Sequence, residues 1–399
     1  MKIAQINMTY YGSTGKIMLD VAQCARADGH IVKTFSPKTY KRKQKKKYPQ
    51  ITDHIYFGTT LEAMIHVYAG MATGMNGLFS QFGTWQLIRE LEKFQPDIVH
   101  IHNIHNFCIN IPILFKYLKK RRIRTVFTLH DCWPFTGHCP YFQLTHCNKW
   151  KTGCHHCSQL SVYPKAYIDT TKFMWKYKKK LFSGLNMHIV TPSNWLASLV
   201  KQSYLKEYSV YVINNGIDLS VFHPIKSDFR ETHGLADKKI ILGVADGWAE
   251  RKGFSDCLTL AQKIDKDYQI VLVGLTDSQI QKLPPNILGI AKTNSQKELV
   301  EIYSSADVFI NTTYEDNYPT VNLEARACGL PVVTYATGGS PESAGKDAYV
   351  VEPGNIIALK EAAEKAICEK CGKYQIDNSI SCQLMSRQYI KLYRTLLQQ

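Results

Sequence analysis

The sequence has no run of about 20 consecutive apolar residues, the length that a membrane-spanning helix requires. Its first residues, MKIAQIN, begin a strand-like pattern and lack the apolar core of a secretory signal. We therefore expect a cytoplasmic protein that is at most peripheral at the inner face of the cell membrane. At 399 residues and 45% hydrophobic, the chain is long enough for two domains with separate cores, which excludes a disordered or fibrous protein.

Acidic residues are scarce in the N-terminal half. Up to residue 222 there are 11 Asp and Glu against 29 Lys and Arg, whereas the remainder has 22 against 20. The positive charge is concentrated in three clusters, Lys38–Lys47, Lys116–Arg124 and Lys172–Lys180. Such clusters attract anionic lipid, nucleic acid or phosphorylated ligands. For Lys119–Arg122, the solvated end of a helix is an equal alternative.

Short β-branched runs alternate with helical patterns along the chain, as in parallel βαβ sheets. The predicted strands are KIAQIN, DIVHIH, TVFTLH, HIVTPS, VYVINNG, KIILGVA, QIVLVG, ILGIA, DVFINT and PVVTYA. Helical spacing predicts a helix over residues 18–27 and a terminal helix over residues 386–398. The break near residue 222 and the change of charge there predict two domains, residues 1–222 and 223–383, followed by a terminal helix, residues 384–399.

The densest motif is TYEDNYPTVNLEARACGLP, residues 313–331, where a predicted strand ends, a loop follows and a helix begins. It carries carboxylates at Asp316 and Glu324. The N–H groups at that helix start suit a diphosphate, and a carboxylate about two turns into the helix can accept the hydroxyl groups of a ribose. A charged helix start that complements the helix dipole is the alternative.

In this motif the sequence resembles glycosyltransferase family four, which has Glu-x7-Glu in this loop; here the first position is Asp316, with Glu315 adjacent. The resemblance implies the α/β GT-B fold, with two Rossmann-like domains, a cleft between them and a C-terminal helix that returns to the N-terminal domain. It implies retaining, metal-independent transfer of a hexose-type sugar from a nucleotide diphosphate donor. Asp316 would face that sugar, Glu324 the ribose, and Asn317 would belong to the donor site.

The acceptor domain would be the N-terminal one. The resemblance extends to bacterial colanic-acid and capsule-like polysaccharide transferases, which implies a saccharide or lipid-linked acceptor and no nucleic acid. The one-sided positive charge of the N-terminal half is the basis on which we expect that acceptor at an anionic membrane surface.

A second motif is DGWAERKG, residues 246–253, which carries Arg251 and Lys252 on a loop after a predicted strand. Fixed cations stabilise the negative charge that develops on a departing nucleoside diphosphate, and the resembling family has a phosphate-binding Arg and Lys here. An exposed pair at a helix start is the alternative. Asp265 and Asp267 have the Asp-x-Asp spacing of metal-dependent transferases, but they precede their strand, so we interpret them as a solvated loop.

The loop YYGSTGK, residues 10–16, joins the first strand to a helix, and its Gly12 and Gly15 allow a close approach of backbone to ligand. In the resembling family this loop lies against the donor phosphates; a simple tight turn is the alternative. His130 follows a strand at the edge where ligands collect, and the family often has a donor-facing histidine there. His100, His102 and His105 either face the acceptor or form hydrogen bonds at the sheet edge.

Twelve cysteines without a secretory signal favour thiols or metal ligands over disulfides. Cys139, Cys147, Cys154 and Cys157 form a tetrad that closes with Cys-x2-Cys, in a segment that has little hydrophobic material to order it. We therefore predict a structural Zn²⁺ site, with His138, His146, His155 and His156 as substitute ligands and with two disulfides or free thiols as alternatives. Cys368 and Cys371 lack a second pair nearby.

Two other function classes stay open at the level of sequence. An epimerase that acts on a nucleotide sugar would share the scaffold and the nucleotide site. A zinc-bearing nucleic-acid-binding protein would use aromatic residues interleaved with the basic clusters, namely Tyr40, Tyr117, Trp175 and Tyr177.

Overall fold

The computed structural model describes residues 1–38, 51–105, 108–369 and 377–399. The chain forms two compact units, Met1–Ile213 with Met385–Gln399, and Asn214–Leu384. Each unit contains one parallel β-sheet with helices. The prediction of two Rossmann-like α/β domains is confirmed. All of the Lys38–Lys47 cluster after Lys38, including Tyr40, lies outside the described residues, as does Cys371.

The first unit has a seven-stranded sheet in the order β3-β2-β1-β4-β5-β6-β7. Its strands are β1 (Lys2–Ile6), β2 (Ile31–Pro37), β3 (His54–Phe57), β4 (Ile98–Ile101), β5 (Arg124–Thr128), β6 (Met187–Thr191) and β7 (Val210–Val212). Its helices are α1 (Gly12–Ala27), α2 (Thr60–Thr73), α3 (Gln81–Phe94), α4 (Ile111–Arg121), α5 (Thr171–Phe182) and α6 (Asn194–Gln202).

The second unit has a six-stranded sheet in the order β10-β9-β8-β11-β12-β13. The strands are β8 (Lys239–Val244), β9 (Tyr268–Val273), β10 (Ile287–Ile290), β11 (Val308–Asn311), β12 (Val332–Tyr335) and β13 (Tyr349–Val351). The helices are α7 (Phe229–Thr232), α8 (Phe254–Ala261), α9 (Asp277–Ile280), α10 (Gln296–Ser305), α11 (Thr320–Ala327), α12 (Ser340–Ala344) and α13 (Ile356–Cys368), followed by α14 (Cys382–Gln398), which ends in the first unit.

Each predicted strand is present, together with three further strands that were not predicted, β2, β3 and β13. β3 and β13 are edge strands of four and three residues with partly exposed side chains, so they carry no continuous apolar run. β2 includes Lys33 and ends at Pro37, which weakens the same signal.

The terminal helix α14 begins four residues before its predicted start. Its Tyr389 and Tyr393 are fully buried in the first unit. The Tyr389 hydroxyl lies 3.0 Å from Thr128 Oγ1, and the Tyr393 hydroxyl lies 2.6 Å from His100 Nδ1. These hydrogen bonds join the helix to the ends of β4 and β5. In the described part of the chain, no helix combines the length and apolar character needed to cross a membrane.

Candidate active site

In the second sheet, β8 and β11 are neighbours at the point where the strand order reverses. Loops that follow two such strands leave the same edge of the sheet and diverge to opposite sides, which creates a crevice where ligands bind. The loop after β8 carries Arg251 and Lys252, and the loop after β11 carries Asp316 and Asn317. Parallel pairing thus brings the two sequence motifs to one edge.

The backbones of these two loops are in direct contact. The Tyr314 N–H donates to the Arg251 carbonyl at 2.8 Å, and the Thr312 hydroxyl donates to the Lys252 carbonyl at 2.9 Å. Gly253 has a φ of 69°, and a Cβ at this position would lie 2.2 Å from the Thr312 carbonyl oxygen. Only glycine therefore permits this approach.

The charged side chains of the two loops also pair. Lys252 Nζ lies 2.6 Å from Asp316 Oδ2, and both side chains are mostly buried, with 16% and 20% of their surface exposed. Arg251 Nη1 donates to the carbonyl oxygen of Glu315 at 3.3 Å. Of the two adjacent carboxyl groups, that of Asp316 contacts Lys252, whereas Glu315 is buried.

Glu324 is the fifth residue of α11, so it lies about one turn into the helix. The expectation of two turns was wrong, because the helix begins only at Thr320, after Pro319. The Tyr303 hydroxyl of α10 donates to Glu324 Oε2 at 3.0 Å. Burial raises the pKa of Glu324 to about 7. The N-cap residue of α11 is Pro319, whose side chain does not accept a hydrogen bond from the first N–H groups of the helix.

A third loop follows β12, contains Gly338 and Gly339, and packs against the loop of Asp316. This loop was not predicted from the sequence. The Gly339 N–H donates to the Asp316 carbonyl at 3.1 Å. Gly338 has a φ of 55°, and a Cβ there would lie 2.0 Å from that carbonyl oxygen. The signal that could have found this loop is the Gly-Gly pair directly after a predicted strand. Asn317 is buried beside it.

In the first unit, Gly12 and Gly15 are required for different reasons. Gly12 has a φ of 71° with open space where its Cβ would lie, so it serves the backbone conformation. A Cβ on Gly15 would lie 2.5 Å from the Tyr10 carbonyl carbon, so this glycine lets the loop pack on α1. The tight-turn alternative accounts for Gly15, whereas Gly12 faces open space.

Histidines line the carboxyl ends of β4 and β5. His102 Nδ1 lies 3.1 Å from His130 Nε2, and the two rings are stacked. His100 Nε2 lies 2.8 Å from Thr128 Oγ1, and its Nδ1 bonds to Tyr393. Burial lowers the pKa of His130 to about 4, that of His100 to about 3 and that of His102 well below its usual range. All three rings are therefore neutral near pH 7.

This arrangement separates the candidates at the sheet edge. His100 and His102 are fully buried and form hydrogen bonds within the unit, as their edge alternative predicted, whereas His130 is partly exposed. His105 pairs with Asp131 across 2.7 Å. Burial acts to raise the pKa of Asp131, but this pair and the Trp133 N–H outweigh burial and hold the pKa below its ordinary value. His130 is thus the partly exposed member of the group.

The sequence pattern of a family described as "Glycosyltransferase Family 4" matches residues 14–221, and that of "Glycosyl transferases group 1" matches residues 225–377. Together they cover both units. The chain belongs to glycosyltransferase family 4. It is an enzyme, as predicted, and the recognition of its family from the Asp316 motif is confirmed.

This glycosyltransferase is similar along its whole length to WcaC of Escherichia coli K12, a protein whose name describes a glycosyl transferase of colanic acid biosynthesis. The two are 25% identical over 99% of this chain and 100% of WcaC. Half of the chain matches 59% of CapM, a capsular polysaccharide biosynthesis glycosyltransferase of Staphylococcus aureus, at 22% identity.

Solved structures share the fold of the glycosyltransferase. Sucrose-phosphate synthase of Thermosynechococcus elongatus has a TM-score of 0.71 at 16% identity, with 99% of this chain and 98% of that chain covered. HepE of Anabaena, solved in complex with UDP and glucose, has a TM-score of 0.65 at 14% identity, with 99% and 100% covered.

The cysteine-rich segment of the glycosyltransferase surrounds a cavity of about 30 Å³, which Cys139, Cys147, Cys154 and Cys157 all line. The thiols of Cys139 and Cys157 are hydrogen-bonded, and the Gly137 N–H lies 3.2 Å from Cys154 Sγ. Eleven cysteines lie in the described ranges, and all eleven are free thiols. Within those ranges, no three His, Cys, Asp or Glu side chains are arranged to hold a metal ion.

The expectation that this segment has little hydrophobic material was wrong. Phe135, Phe142 and Trp150 are buried, and the Trp150 ring lies 5.3 Å from that of Phe135 and 5.0 Å from that of Phe142. These aromatic residues are widely spaced in sequence, so no periodic pattern revealed them. Together with Cys139 they belong to the hydrophobic core of the first unit, which orders the segment irrespective of metal.

The Lys172–Lys180 cluster of the glycosyltransferase is not wholly a surface feature. Lys178 is fully buried: its Nζ donates to the Trp133 carbonyl at 2.6 Å and lies 3.8 Å from the centre of the Trp133 ring. Burial lowers the pKa of Lys178 to about 7. Trp175 is also buried and donates to the Trp150 carbonyl, so it cannot stack on a nucleic-acid base.

Proposed function

We propose that this glycosyltransferase moves a hexose-type sugar from a nucleotide diphosphate to a saccharide acceptor, with retention of configuration and without a metal. The observation that carries the proposal is the contact between the loop of Lys252 and the loop of Asp316. The first supplies cations for a diphosphate, and the second supplies a carboxylate for a sugar hydroxyl. Both lie where ligands bind in such sheets.

In this proposal Arg251 and Lys252 stabilise the charge that develops on the leaving diphosphate. Glu324 accepts hydrogen bonds from the ribose. Asp316 contacts the transferred sugar in the second unit, and His130 of the first unit forms a hydrogen bond with a sugar hydroxyl. The low pKa of His130 supports this role, because a neutral imidazole can donate or accept a hydrogen bond without adding charge. Asn317 completes the donor site of the second unit, and in the first unit the loop of Gly12 and Gly15 offers the N–H groups of a helix start to an anion.

Retention follows from either of two routes. In one, the acceptor oxygen bonds to the anomeric carbon on the face that the leaving phosphate vacates, and that phosphate takes the acceptor proton. In the other, Asp316 displaces the nucleoside diphosphate from the anomeric carbon and forms a covalent bond to the sugar; the acceptor oxygen then displaces Asp316, and the bound diphosphate takes the acceptor proton. The pairing of Asp316 with Lys252 supports the first route, because this carboxylate is already engaged. We expect Asp316→Asn to retain measurable transfer; activity restored only by added azide would support the second route.

A donor screen tests the proposal. Purified protein is incubated with UDP-, GDP- and ADP-sugars, with and without a lipid-linked saccharide, and the release of nucleoside diphosphate and the anomer of the product are measured. We expect acceptor-dependent release with one donor class in the presence of a chelator. Free epimerised sugar nucleotide without any need for acceptor would instead support the epimerase, and no turnover with any pair would reject both.

We propose a role in the synthesis of surface polysaccharide, as capsule or lipopolysaccharide, on a lipid-linked acceptor. The names of WcaC and CapM support the polysaccharide role. The surface of α5 supports contact with an anionic membrane, since it exposes Lys172, Lys176, Lys179 and Lys180 and contains no acidic residue. The Lys119 ammonium bonds to the Ser183 carbonyl, so the basic end of α4 adjoins that of α5. Polybasic surfaces bind anionic lipid by electrostatic attraction.

Liposome flotation tests the membrane proposal. Replacing those four α5 lysines by Gln should reduce flotation with vesicles that contain phosphatidylglycerol and leave neutral vesicles unaffected. The matched control replaces four exposed lysines of the second unit, Lys282, Lys292, Lys297 and Lys346. Equal flotation of the two variants would reject this surface as the site of contact.

We also propose that the cysteine tetrad holds a structural Zn²⁺. In the described residues the four thiols line one small cavity without being grouped as metal ligands, and the proposal rests on this shared lining and on the backbone N–H directed at the sulfur of Cys154. The measurement is zinc content after dialysis, together with free thiols. We expect about one zinc per chain, lost in Cys154→Ser and kept in Cys257→Ser, as four ligands define one closed site. Metal-free protein with all thiols titratable would reject the proposal.

A further inference from the structure

We propose that Tyr303 is a positioning residue, whose hydroxyl fixes the orientation of the Glu324 carboxylate for the nucleotide. The inference rests on the proposed function, in which Glu324 binds the ribose. Tyr303 belongs to α10 and lies outside both sequence motifs, so neither the motifs nor the family resemblance points to it.

The geometry defines one direction for the hydrogen bond. The Tyr303 ring is fully buried and lies 5.7 Å from the ring of Phe309, so the phenol has little freedom to move. Its hydroxyl lies 3.0 Å from Glu324 Oε2, whereas the Val321 carbonyl, also near, lies at 3.5 Å. A phenol carries a single proton, and here the carboxylate is the closer acceptor. The bond therefore holds one carboxylate oxygen in place.

A fixed carboxylate binds better than a mobile one. A free glutamate side chain samples many rotamers, and ordering it on binding reduces the affinity for the ligand. The Tyr303 bond orders Glu324 before the nucleotide arrives. The hydroxyl of a fixed phenol thus contributes to affinity although it need not contact the ligand.

The same hydroxyl affects the pH range of binding. Burial raises the pKa of Glu324 to about 7, and the bond from Tyr303 acts in the opposite direction. The titratable groups that face Glu324 are Tyr303, from α10, and Cys328, from the residue that ends α11. Removing the hydroxyl should raise the pKa of Glu324 further. A protonated carboxyl accepts fewer hydrogen bonds, so nucleotide affinity should decline at a higher pH in the variant.

A double-mutant cycle tests the inference. The affinities of UDP, GDP and ADP are measured by calorimetry for wild type, Tyr303→Phe, Glu324→Gln and the double variant. We expect Tyr303→Phe to weaken the tightest-binding nucleotide about tenfold, the order of a hydrogen bond to a charged group. In the Glu324→Gln background the same change should have less than a twofold effect, because a residue that acts through Glu324 has nothing left to act on. The acid limb of the affinity profile should also move to higher pH in Tyr303→Phe alone.

The control is Tyr335→Phe, which also removes a buried tyrosine hydroxyl in the second unit, one that bonds to Asp256. Tyr303→Phe effects that are equal in both backgrounds, or matched by Tyr335→Phe, would overturn the positioning role while Glu324 keeps its own. If Glu324→Gln binds nucleotide as well as wild type does, the ribose role is rejected and the positioning role with it. If no nucleotide binds wild type, the proposed function itself is rejected.

Discussion

The carboxyl edges of the two sheets offer different chemistry on the same topology. In both sheets the strand order reverses beside the first strand of the unit, between β1 and β4 and between β8 and β11. At the first edge, His100 and His102 are buried, neutral and bonded to neighbours. At the second edge, Lys252 and Asp316 form an ion pair that is partly exposed.

The comparison indicates that the fold determines the position of a site and that the side chains determine its chemistry. A charged edge can hold a diphosphate through the whole reaction. At the histidine edge, His100 and His102 form hydrogen bonds within the unit and His130 is partly exposed, so this edge presents little charge. We therefore expect substitutions at the two edges to fail in different ways.

The largest effect should come from the charged edge. Lys252→Ala removes a fixed cation beside the leaving group, so kcat/KM for release of nucleoside diphosphate should fall about 10²–10³-fold, as for other preorganised stabilising groups. Steady-state kinetics with the donor that the screen selects measure this fall. Lys282→Ala, an exposed lysine of the same unit, is the control and should stay near wild type. A fall of less than threefold in Lys252→Ala would remove the distinction between the edges.

A smaller effect should come from acidifying the histidine edge. His100 and His130 have pKa values of about 3 and about 4 in the folded chain, below the ordinary value of 6.5. Below pH 6.5 the unfolded chain therefore binds protons that the folded chain does not. The stability of the first unit should fall by about 1.4 kcal/mol per histidine for each pH unit below that point.

Hydrogen exchange, corrected for intrinsic rates, measures this at pH 7.0 and 5.5 in peptides from β4 and β5. Peptides from β8 and β11 provide the comparison and should lose less protection. His100→Gln should remove the contribution of one histidine to the pH dependence of the stability of the first unit. Equal losses in both units would show that the histidine edge is not specially sensitive to acid.

An effect of the opposite sign should come from Glu324. Its pKa is raised from 4.5 to about 7 in the folded chain, so the folded state holds the extra proton and stability falls as pH rises through that window. Glu324→Gln should therefore raise Tm at pH 8 and leave it unchanged at pH 4. Each kcal/mol gained in the free energy of unfolding should raise Tm by about 2–4 °C. Differential scanning calorimetry measures this, with Glu361→Gln, on the exposed face of α13, as control. A lower Tm at pH 8 would contradict the assignment.

Much of the fold followed from continuous apolar runs, because buried parallel strands leave that pattern in the sequence. The site motifs near Lys252 and Asp316 were also identifiable, since each follows such a strand. Contacts between distant segments were not. The bonds of Tyr303 to Glu324 and of Tyr393 to His100 join residues that share no local pattern. Burial was also misjudged where charge suggested exposure, as at Lys178.

The helix α14 has a consequence for synthesis on the ribosome. Residues 385–399 complete the first unit, yet they are translated after the whole of the second. His100 can bond to Tyr393 only after 293 further residues have been translated, and Thr128 can bond to Tyr389 only after 261. The second unit is contiguous in sequence, so it can fold while the first still lacks a helix. The half that is made first is thus the half that is finished last, and its buried polar groups are exposed to the cell in the interval.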